Sequence, residues 1–239
     1  MTTHKNVSDW YDRKYRETGD QTRRSVKAFY QIMKLIPASA DSILDVGCGR
    51  GEFLEYLNNK GFKNLAAVDI SEEAIKGVKQ LLPDCDARVS TGEKMPFADN
   101  QFSLITCLGV LEHFLDIDGG LNEMNRILKE GGKAIIMVPN KNFIGWIFTK
   151  KDHKGTQQKE ISETLYSVST WKHKIETSGF TVKNIKADNG FIYNNRDLKT
   201  KNLKYFIKRI LFILLPLIPN ELVYQVIFES VKIPRDANE

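Results

Sequence analysis

The chain has 239 residues, of which 41% are hydrophobic and 27% are charged, so its composition excludes a disordered or a fibrous protein. At roughly 150 residues per domain, this length predicts a single domain over residues 1–239 that carries a cap. The three cysteines lack a CxxC spacing, which argues against a disulfide framework and against a zinc site and favours a cytoplasmic location. The charged N-terminal residues contain no apolar signal-peptide core.

The net charge of +5 is unevenly distributed along the chain. Residues 45–130 carry a net charge of −6, whereas residues 141–209 carry a net charge of +9. The basic segment is either a set of solvated lysines or a positive face for an acidic substrate, a nucleic acid or an anionic membrane. Composition does not choose between these interpretations.

The first 39 residues form an N-terminal helical region. Apolar residues recur at helical spacing over residues 8–36, with a break at Gly19 and an end at Pro37. Strands and helices then alternate through a core at residues 40–140. The predicted strands are 42–46, 65–69, 102–107 and 133–138, and the predicted helices are 52–59, 72–82 and 120–129. This alternation predicts an α/β fold in which helices cover both faces of a mostly parallel sheet.

The pattern changes after residue 140. Residues 141–220 read as a basic and apolar cap with an interleaved strand at 180–185, and the final strand falls at 222–231 within residues 221–233. Ser169 or Thr170 is expected to cap a helix over residues 171–177. The apolar helix at 203–215 is too short to cross a bilayer. We expect it to pack over the substrate site, and the alternative is peripheral membrane contact through residues 199–218.

A glycine-rich turn follows the first strand of the core. Gly47, Gly49 and Gly51 come directly after Asp45, in the order strand, turn, helix. Their spacing is G-x-G-x-G, whereas a dinucleotide loop reads G-x-G-x-x-G. The last position of that motif is occupied here by Glu52, and a carboxylate at a helix N-terminus competes with a pyrophosphate. The loop therefore argues against a dehydrogenase.

Residues Leu44–Gly51 resemble motif I of the class I S-adenosylmethionine-dependent methyltransferases. The resemblance implies a Rossmann-like seven-stranded sheet, mostly parallel with one antiparallel strand, which is the predicted final strand at 222–231. It also implies that S-adenosylmethionine is the cofactor, that its methionine half lies over the glycine loop, and that Asp45 lies near its ammonium group. Residues 40–140 are then the cofactor-binding core.

The end of the second strand carries another acidic residue. Asp69 lies 20 residues after Gly49, the spacing at which a Rossmann-like fold binds ribose hydroxyls, and Ile70 would pack on the adenine. The alternative is that Asp69 only caps the following helix. The resemblance also assigns to the cofactor a segment after the third strand, although many relatives have Asp where this chain has Thr91. The remaining residues assigned to the cofactor are Thr91, Gly92, Glu93 and Leu108.

Leu111-Glu112-His113 resembles the Leu-Glu-His segment of small-molecule methyltransferases, including the O-methyltransferases of quinone pathways. The [DN]-P-P-[YF] motif of enzymes that methylate exocyclic base nitrogens is missing at this place. His113 is the candidate catalytic base that would deprotonate an acceptor hydroxyl. The alternatives are a histidine bonded to the backbone or to Glu112, and a mechanism that depends on positioning alone.

These observations predict a methyltransferase that acts on a small-molecule acceptor, with O-methylation of a hydroxyl favoured and no metal. One alternative is an RNA methyltransferase that uses the basic segment, although a nucleic-acid partner is not expected. A second alternative is an enzyme for a lipid-linked or membrane-surface acceptor. A third is a non-catalytic module that binds the cofactor and a partner protein. The acceptor and the oligomeric state do not follow from the sequence.

Overall fold

The computed structural model describes residues 3–18, 26–144, 161, 163–188 and 218–234. The predicted apolar helix at 203–215 lies outside the described residues, as does the segment at 199–218 assigned to possible membrane contact, except for residue 218. Within the part of the chain that is described, no helix is both long enough and apolar enough to cross a membrane.

Seven strands form one sheet in the order β3-β2-β1-β4-β5-β7-β6. Strand β7 runs antiparallel to both of its neighbours, β5 and β6, and the pairs within β1 to β5 are parallel. This arrangement confirms the predicted fold class and its single antiparallel strand. The strands are β1 Ile43–Val46, β2 Leu65–Asp69, β3 Asp86–Val89, β4 Phe102–Leu108, β5 Leu128–Pro139, β6 Phe180–Ala187 and β7 Gln225–Lys232.

Helices cover both faces of the sheet because the strands bury side chains on both sides. Along β1, Ile43 belongs to one apolar cluster and Leu44 to the other, as expected when successive side chains point to opposite faces. The α-helices are α1 His4–Thr18, α2 Val26–Met33, α3 Glu52–Asn59, α4 Glu72–Leu81, α5 Ile117–Ile127 and α6 Val168–Thr177. Within the described ranges, two short 3-10 helices cover Leu111–His113 and Asn220–Leu222.

Most element boundaries agree with the sequence prediction, and the differences have local causes. Helix α5 begins at Ile117, three residues early, because Asp116 caps it by accepting a hydrogen bond from Gly119 N at 2.9 Å. The cap of α6 is Ser167, whose hydroxyl accepts from Thr170 N at 3.2 Å, so the prediction of Ser169 or Thr170 was wrong. Strand β5 begins at Leu128, because Gly131 lies in an irregularity within the strand.

Two further differences concern the ends of the chain. Helix α1 begins at His4, four residues before the predicted helical region. Strand β7 begins at Gln225, three residues later than predicted, because the 3-10 helix at Asn220–Leu222 precedes it. The pairing of β1 with both β2 and β4 places the carboxyl ends of these three strands side by side. The loops that follow them therefore meet at one edge of the sheet.

Candidate functional site

A cavity of about 310 Å³ lies at this edge of the sheet. It occupies the point where the strand order reverses between β1 and β4, which is where open α/β sheets bind ligands. The cavity brings together nearly all the residues that the sequence assigned to the cofactor and to catalysis. Those that line it are Asp45, Gly47, Gly49, Asp69, Ile70, Thr91, Gly92, Glu93, Leu108 and His113.

The glycine loop forms the floor of the cavity. Gly47 and Gly49 have φ angles of +68° and +56°, a conformation that favours glycine. A Cβ on Gly47 would lie 2.3 Å from Val110 Cγ1, and a Cβ on Gly49 would lie 3.1 Å from Tyr15 Oη. The loop therefore needs both glycines for its backbone angles and for its close neighbours.

Gly51 has a different place from the other two glycines of the motif. It is the N-cap of α3 and is not among the residues that line the cavity. A Cβ at this position would approach Val78 Cγ2 of α4 at 3.1 Å. Its assignment to the cofactor stays a prediction, and the structure gives it a packing role between α3 and α4.

Asp69 ends β2 and is buried at the rim of the glycine loop. Its Oδ2 accepts a hydrogen bond from Gly49 N and its Oδ1 accepts one from Ser71 N, both at 2.9 Å. Burial raises the pKa of Asp69 to about 6, although the two backbone hydrogen bonds act in the opposite direction. The N-cap of α4 is Ser71 itself, which accepts from Ala74 N at 3.1 Å. Asp69 therefore orders the loop and presents a carboxylate to the cavity.

Asp45, at the third position of β1, is a second buried carboxylate in the lining. Its Oδ1 accepts a hydrogen bond from Thr106 Oγ1 of β4 at 2.6 Å. The Thr106 hydroxyl thus fixes the carboxylate across the gap between two parallel strands. An acidic group held in this way is suited to a cationic ligand.

The segment after β3 closes one side of the cavity. Thr91, Gly92 and Glu93 all line it. A Cβ on Gly92 would overlap the ring of Phe114, which explains why glycine stands there. Glu93 Oε1 accepts a hydrogen bond from Leu115 N at 2.9 Å and lies 3.3 Å from His4 Nε2. The Glu93 side chain therefore links three chain segments around the cavity.

His113 lies in the 3-10 helix that follows β4, with its backbone N–H donating to Val110 O at 2.9 Å. Its ring packs edge-on against Tyr11, with 6.4 Å between the ring centroids. Leu108, the last residue of β4, lines the cavity just before this turn. The predicted catalytic histidine and the predicted cofactor residues therefore share one cavity, as a methyl transfer requires.

The N-terminal helix α1 supplies a wall of the cavity that the sequence had not indicated. One face of α1 carries the lining residues His4, Val7, Tyr11, Lys14 and Tyr15. These positions recur at a spacing of three or four residues, so they lie on one side of the helix. Desolvation by burial raises the pKa of Tyr15 well above its ordinary value, and the nearby Asp69 carboxylate adds to this effect. The recurrence of these residues at helical spacing was the feature of the sequence that could have predicted this wall.

Hydrogen bonds fasten α1 to the loops at the edge of the sheet. Ser8 Oγ donates to Ile70 O at 2.9 Å. Asp12 Oδ1 accepts from Ser71 Oγ at 2.5 Å and from Glu73 N at 3.1 Å. The Arg50 guanidinium of the glycine loop donates to Tyr15 O at 3.0 Å. Helix α1 is therefore bonded to the loops that follow β1 and β2, two of the segments that the sequence assigned to the cofactor.

The lining suits S-adenosylmethionine better than a phosphate-bearing cofactor. Two buried carboxylates, Asp45 and Asp69, face the cavity at the ends of β1 and β2. Asp45 lies beside the glycine loop, where it disfavours a pyrophosphate and can pair with an ammonium group. Asp69 can accept hydrogen bonds from a ribose diol. The glycine loop leaves room beside the backbone for such a ligand. The two carboxylates therefore fit a cofactor that is a positively charged nucleoside.

The fold and the site define a Rossmann-like enzyme class with a nucleoside cofactor, and comparison with known proteins identifies the family. Residues 44–136 match the methyltransferase domain family. An uncharacterised protein of Methanocaldococcus jannaschii is 30% identical over 189 residues, which cover 76% of this chain and 83% of that protein. A demethylmenaquinone methyltransferase of Chlorobaculum parvum is 31% identical over 97 residues, which cover 41% of this chain and 40% of that enzyme.

Among solved structures, this chain is similar to a methyltransferase from a complex with the Haloferax volcanii Trm112 methyltransferase activator. The TM-score is 0.70 at 16% identity, and the match covers 100% of both chains. The chain belongs to the class I S-adenosylmethionine-dependent methyltransferases. This confirms the predicted family, its cofactor and its fold class. The chain spans only about two fifths of the length of the Chlorobaculum enzyme and of another M. jannaschii relative, 40% and 41% respectively.

Proposed function

We propose that the protein transfers a methyl group from S-adenosylmethionine to a hydroxyl oxygen of a small molecule. The observation that carries the proposal is the presence of His113 in the same cavity as the glycine loop and Asp69. S-adenosylmethionine supplies an electrophilic methyl group on a sulfonium. The residues of this chain have to bind the cofactor, orient the acceptor and remove the proton of its hydroxyl group.

Binding of the cofactor is assigned to the glycine loop and to the two buried carboxylates. Asp69 would accept hydrogen bonds from the ribose diol, and its neighbour Ile70 offers an apolar surface for the adenine. Asp45 would pair with the ammonium group. Thr91 and the backbone of Gly92 and Glu93 lie beside the same cavity and would contact the adenine edge.

His113 is assigned to the acceptor. An imidazole can take a hydroxyl proton near neutral pH, which makes the oxygen a better nucleophile. The aromatic rings of Tyr11 and Phe114 line the same part of the cavity and favour an apolar or aromatic acceptor body. Because His113 follows β4, this assignment places the acceptor at the β4 side of the cavity.

A small acceptor is favoured over a nucleic acid because α1 stands over the cavity. His4, Tyr11 and Tyr15 of this helix line it, and the helix is held in place by a hydrogen bond that Ser8 donates and one that Asp12 accepts. A base extruded from a polynucleotide would have to enter this pocket past α1. We also propose that the protein acts in the cytoplasm.

The test is a transfer assay with isotopically labelled S-adenosylmethionine and a panel of hydroxylated small molecules, each compared with its O-methylated form. We expect an O-methylated product that forms at a lower rate with His113→Ala. Bulk RNA and anionic vesicles serve as competing acceptors in the same assay. Label found only in RNA or only in the vesicle fraction would overturn the proposal.

A further inference from the structure

Three side chains with metal-binding groups converge at the edge of the cavity. One ligand atom each from Glu112, His113 and Glu163 lies within 4.8 Å of the other two. Two atoms bound to one ion stand apart by at most twice a metal–ligand bond, about 4.4 Å for bonds of about 2.2 Å. Only two opposite ligands reach that limit, and adjacent ligands of an octahedral or tetrahedral ion stand about 3.1–3.6 Å apart. Side-chain rotations that shorten these separations by up to about 1–2 Å would bring all three atoms to one ion.

The fold holds these residues together from two distant parts of the chain. Glu112 and His113 are neighbours on the 3-10 helix after β4. Glu163 belongs to the segment before α6, and the next residue, Thr164, donates its backbone N–H to Glu112 O at 2.8 Å. This backbone hydrogen bond fixes the Glu163 segment beside the 3-10 helix. The convergence is therefore anchored by main-chain atoms.

The charges of this group favour a cation. The side chain of Glu112 is buried, with 3% of the residue exposed, and Glu163 is half-buried. Two carboxylates that meet away from bulk water repel each other, and each loses hydration on burial. A divalent ion between them attracts both carboxylates, and its ligand bonds offset the hydration that they have lost. One imidazole and two carboxylates form a mixed nitrogen and oxygen set, which suits Mn²⁺ or Zn²⁺ better than the all-oxygen sites of Ca²⁺.

We propose that Glu112, His113 and Glu163 bind a divalent transition-metal ion, with Mn²⁺ or Zn²⁺ as the fitting class. His113 also lines the cavity, so an ion bound to it lies at the acceptor side. There it can take the oxygen of an acceptor hydroxyl as a further ligand. The hydroxyl proton then leaves to solvent, and the electron pair of the broken O–H bond stays on the metal-bound oxygen.

The ion site changes the role of His113. An imidazole nitrogen that binds a metal uses its lone pair for that bond and does not accept a proton through it. The metal, rather than the histidine, then lowers the pKa of the acceptor hydroxyl. This catalytic role rests on the proposed function, whereas the existence of the ion site does not. The two are therefore tested by different measurements.

The ion site is tested by titrating metal-free protein with Mn²⁺ in the absence of S-adenosylmethionine, with electron paramagnetic resonance to measure the free ion. We expect one Mn²⁺ bound per chain. Glu163→Gln and His113→Ala should each weaken binding by at least tenfold, since loss of even an outer contact to a metal ligand costs 10–100-fold. A competing Zn²⁺ titration should displace the Mn²⁺.

Glu176→Gln and His173→Ala are matched controls, because both residues are exposed on α6. They should bind Mn²⁺ like the unmodified protein. Calorimetry with S-adenosylhomocysteine checks that Glu163→Gln is folded, since Glu163 is outside the cavity lining. A folded Glu163→Gln that binds Mn²⁺ with unchanged affinity would overturn the ion site, as would unmodified protein that binds neither Mn²⁺ nor Zn²⁺. Mn²⁺ binding without methyl transfer to any hydroxyl would support the site and count against the proposed function alone.

Discussion

The Asp69 carboxylate accepts a hydrogen bond from Gly49 N at 2.9 Å, so the end of β2 is joined directly to the glycine loop after β1. Asp69 therefore has two functions in one position. One carboxylate orders the loop through Gly49 and Ser71, and the same carboxylate faces the cavity. Its protonation should accordingly affect both the loop and any ligand that donates to it.

The first prediction is a pH dependence of cofactor binding. Because burial raises the pKa of Asp69 to about 6, the carboxylate is ionised at pH 7 and protonated below about 6. A ribose diol donates to the ionised form, so affinity for S-adenosylhomocysteine should fall as the pH is lowered from 7 to 5. The limit is roughly tenfold per pH unit for a single group. Calorimetry across this range measures the effect.

The matched variant for this prediction is Asp69→Asn, which does not titrate. It should bind the cofactor more weakly by about 1.5–3 kcal/mol at pH 7 and show a flat pH profile. The stability of the unliganded protein gives a second readout. A carboxyl with a raised pKa holds its proton more tightly in the folded state, so Asp69 lowers the free energy of unfolding as the pH rises from about 4 to 6. An unchanged pH slope of binding in Asp69→Asn would contradict the assignment.

The second prediction concerns His113 as the group that acts on the acceptor. His113→Ala should lower turnover by roughly 10²–10⁴-fold while the affinity for S-adenosylhomocysteine changes little. His173→Ala is the control, because His173 is exposed on α6. Turnover and cofactor affinity are measured separately by product formation and calorimetry. Near-normal turnover of a folded His113→Ala protein would leave positioning of the acceptor as the main source of catalysis.

The third prediction concerns the attachment of α1. Asp12→Ala removes the acceptor of two hydrogen bonds from Ser71 and Glu73, and a bond to a charged group contributes about 1.5–3 kcal/mol. We expect faster amide hydrogen exchange over residues 4–18 and faster dissociation of S-adenosylhomocysteine. Asp9→Ala is the matched control, since Asp9 is exposed on the same helix. Equal exchange in the two variants would show that Asp12 does not hold the helix.

The fourth prediction separates backbone strain from steric overlap in the glycine loop. Gly47 and Gly131 have nearly the same φ, +68° and +69°, but a Cβ on Gly131 meets no atom within 4 Å. Both alanine variants should lose about 1–2 kcal/mol of stability from the left-handed backbone. Gly47→Ala should lose a further ~1–3 kcal/mol because its Cβ overlaps Val110.

Urea unfolding measures this difference, and calorimetry should show loss of cofactor affinity only in Gly47→Ala. Adding Val110→Ala to Gly47→Ala should restore part of the additional stability loss, because it removes the two nearest atoms, the Val110 methyl groups, and leaves only Val110 Cβ, at 2.8 Å. If Gly47→Ala and Gly131→Ala were equally stable and both bound the cofactor normally, the close approach to Val110 would be irrelevant.

Local patterns in the sequence were sufficient for the core of the fold and for most of the cofactor site. The turn after β1 needs glycine, and the two acidic residues lie at or next to the last positions of the buried strands β1 and β2, so Asp45, Gly47 and Asp69 were predictable from short segments. Parallel strands carry their carboxyl ends to one edge, which is why these residues meet. The strand at Asp86–Val89 has one buried residue in four, and its weak pattern left it without predicted boundaries.

The remaining features depend on contacts between segments that are far apart in the chain. Only the tertiary structure shows that Tyr15 of α1 stands over Gly49, that Gly51 packs on α4 instead of facing the cavity, and that Glu163 meets Glu112 and His113. The periodicity of α1 predicts a helix with one apolar face, but many surfaces can accept such a face. Which surface is chosen depends on the shape and hydrogen-bonding groups of the folded sheet edge, here Ile70, Ser71 and Arg50, and no local pattern encodes that choice.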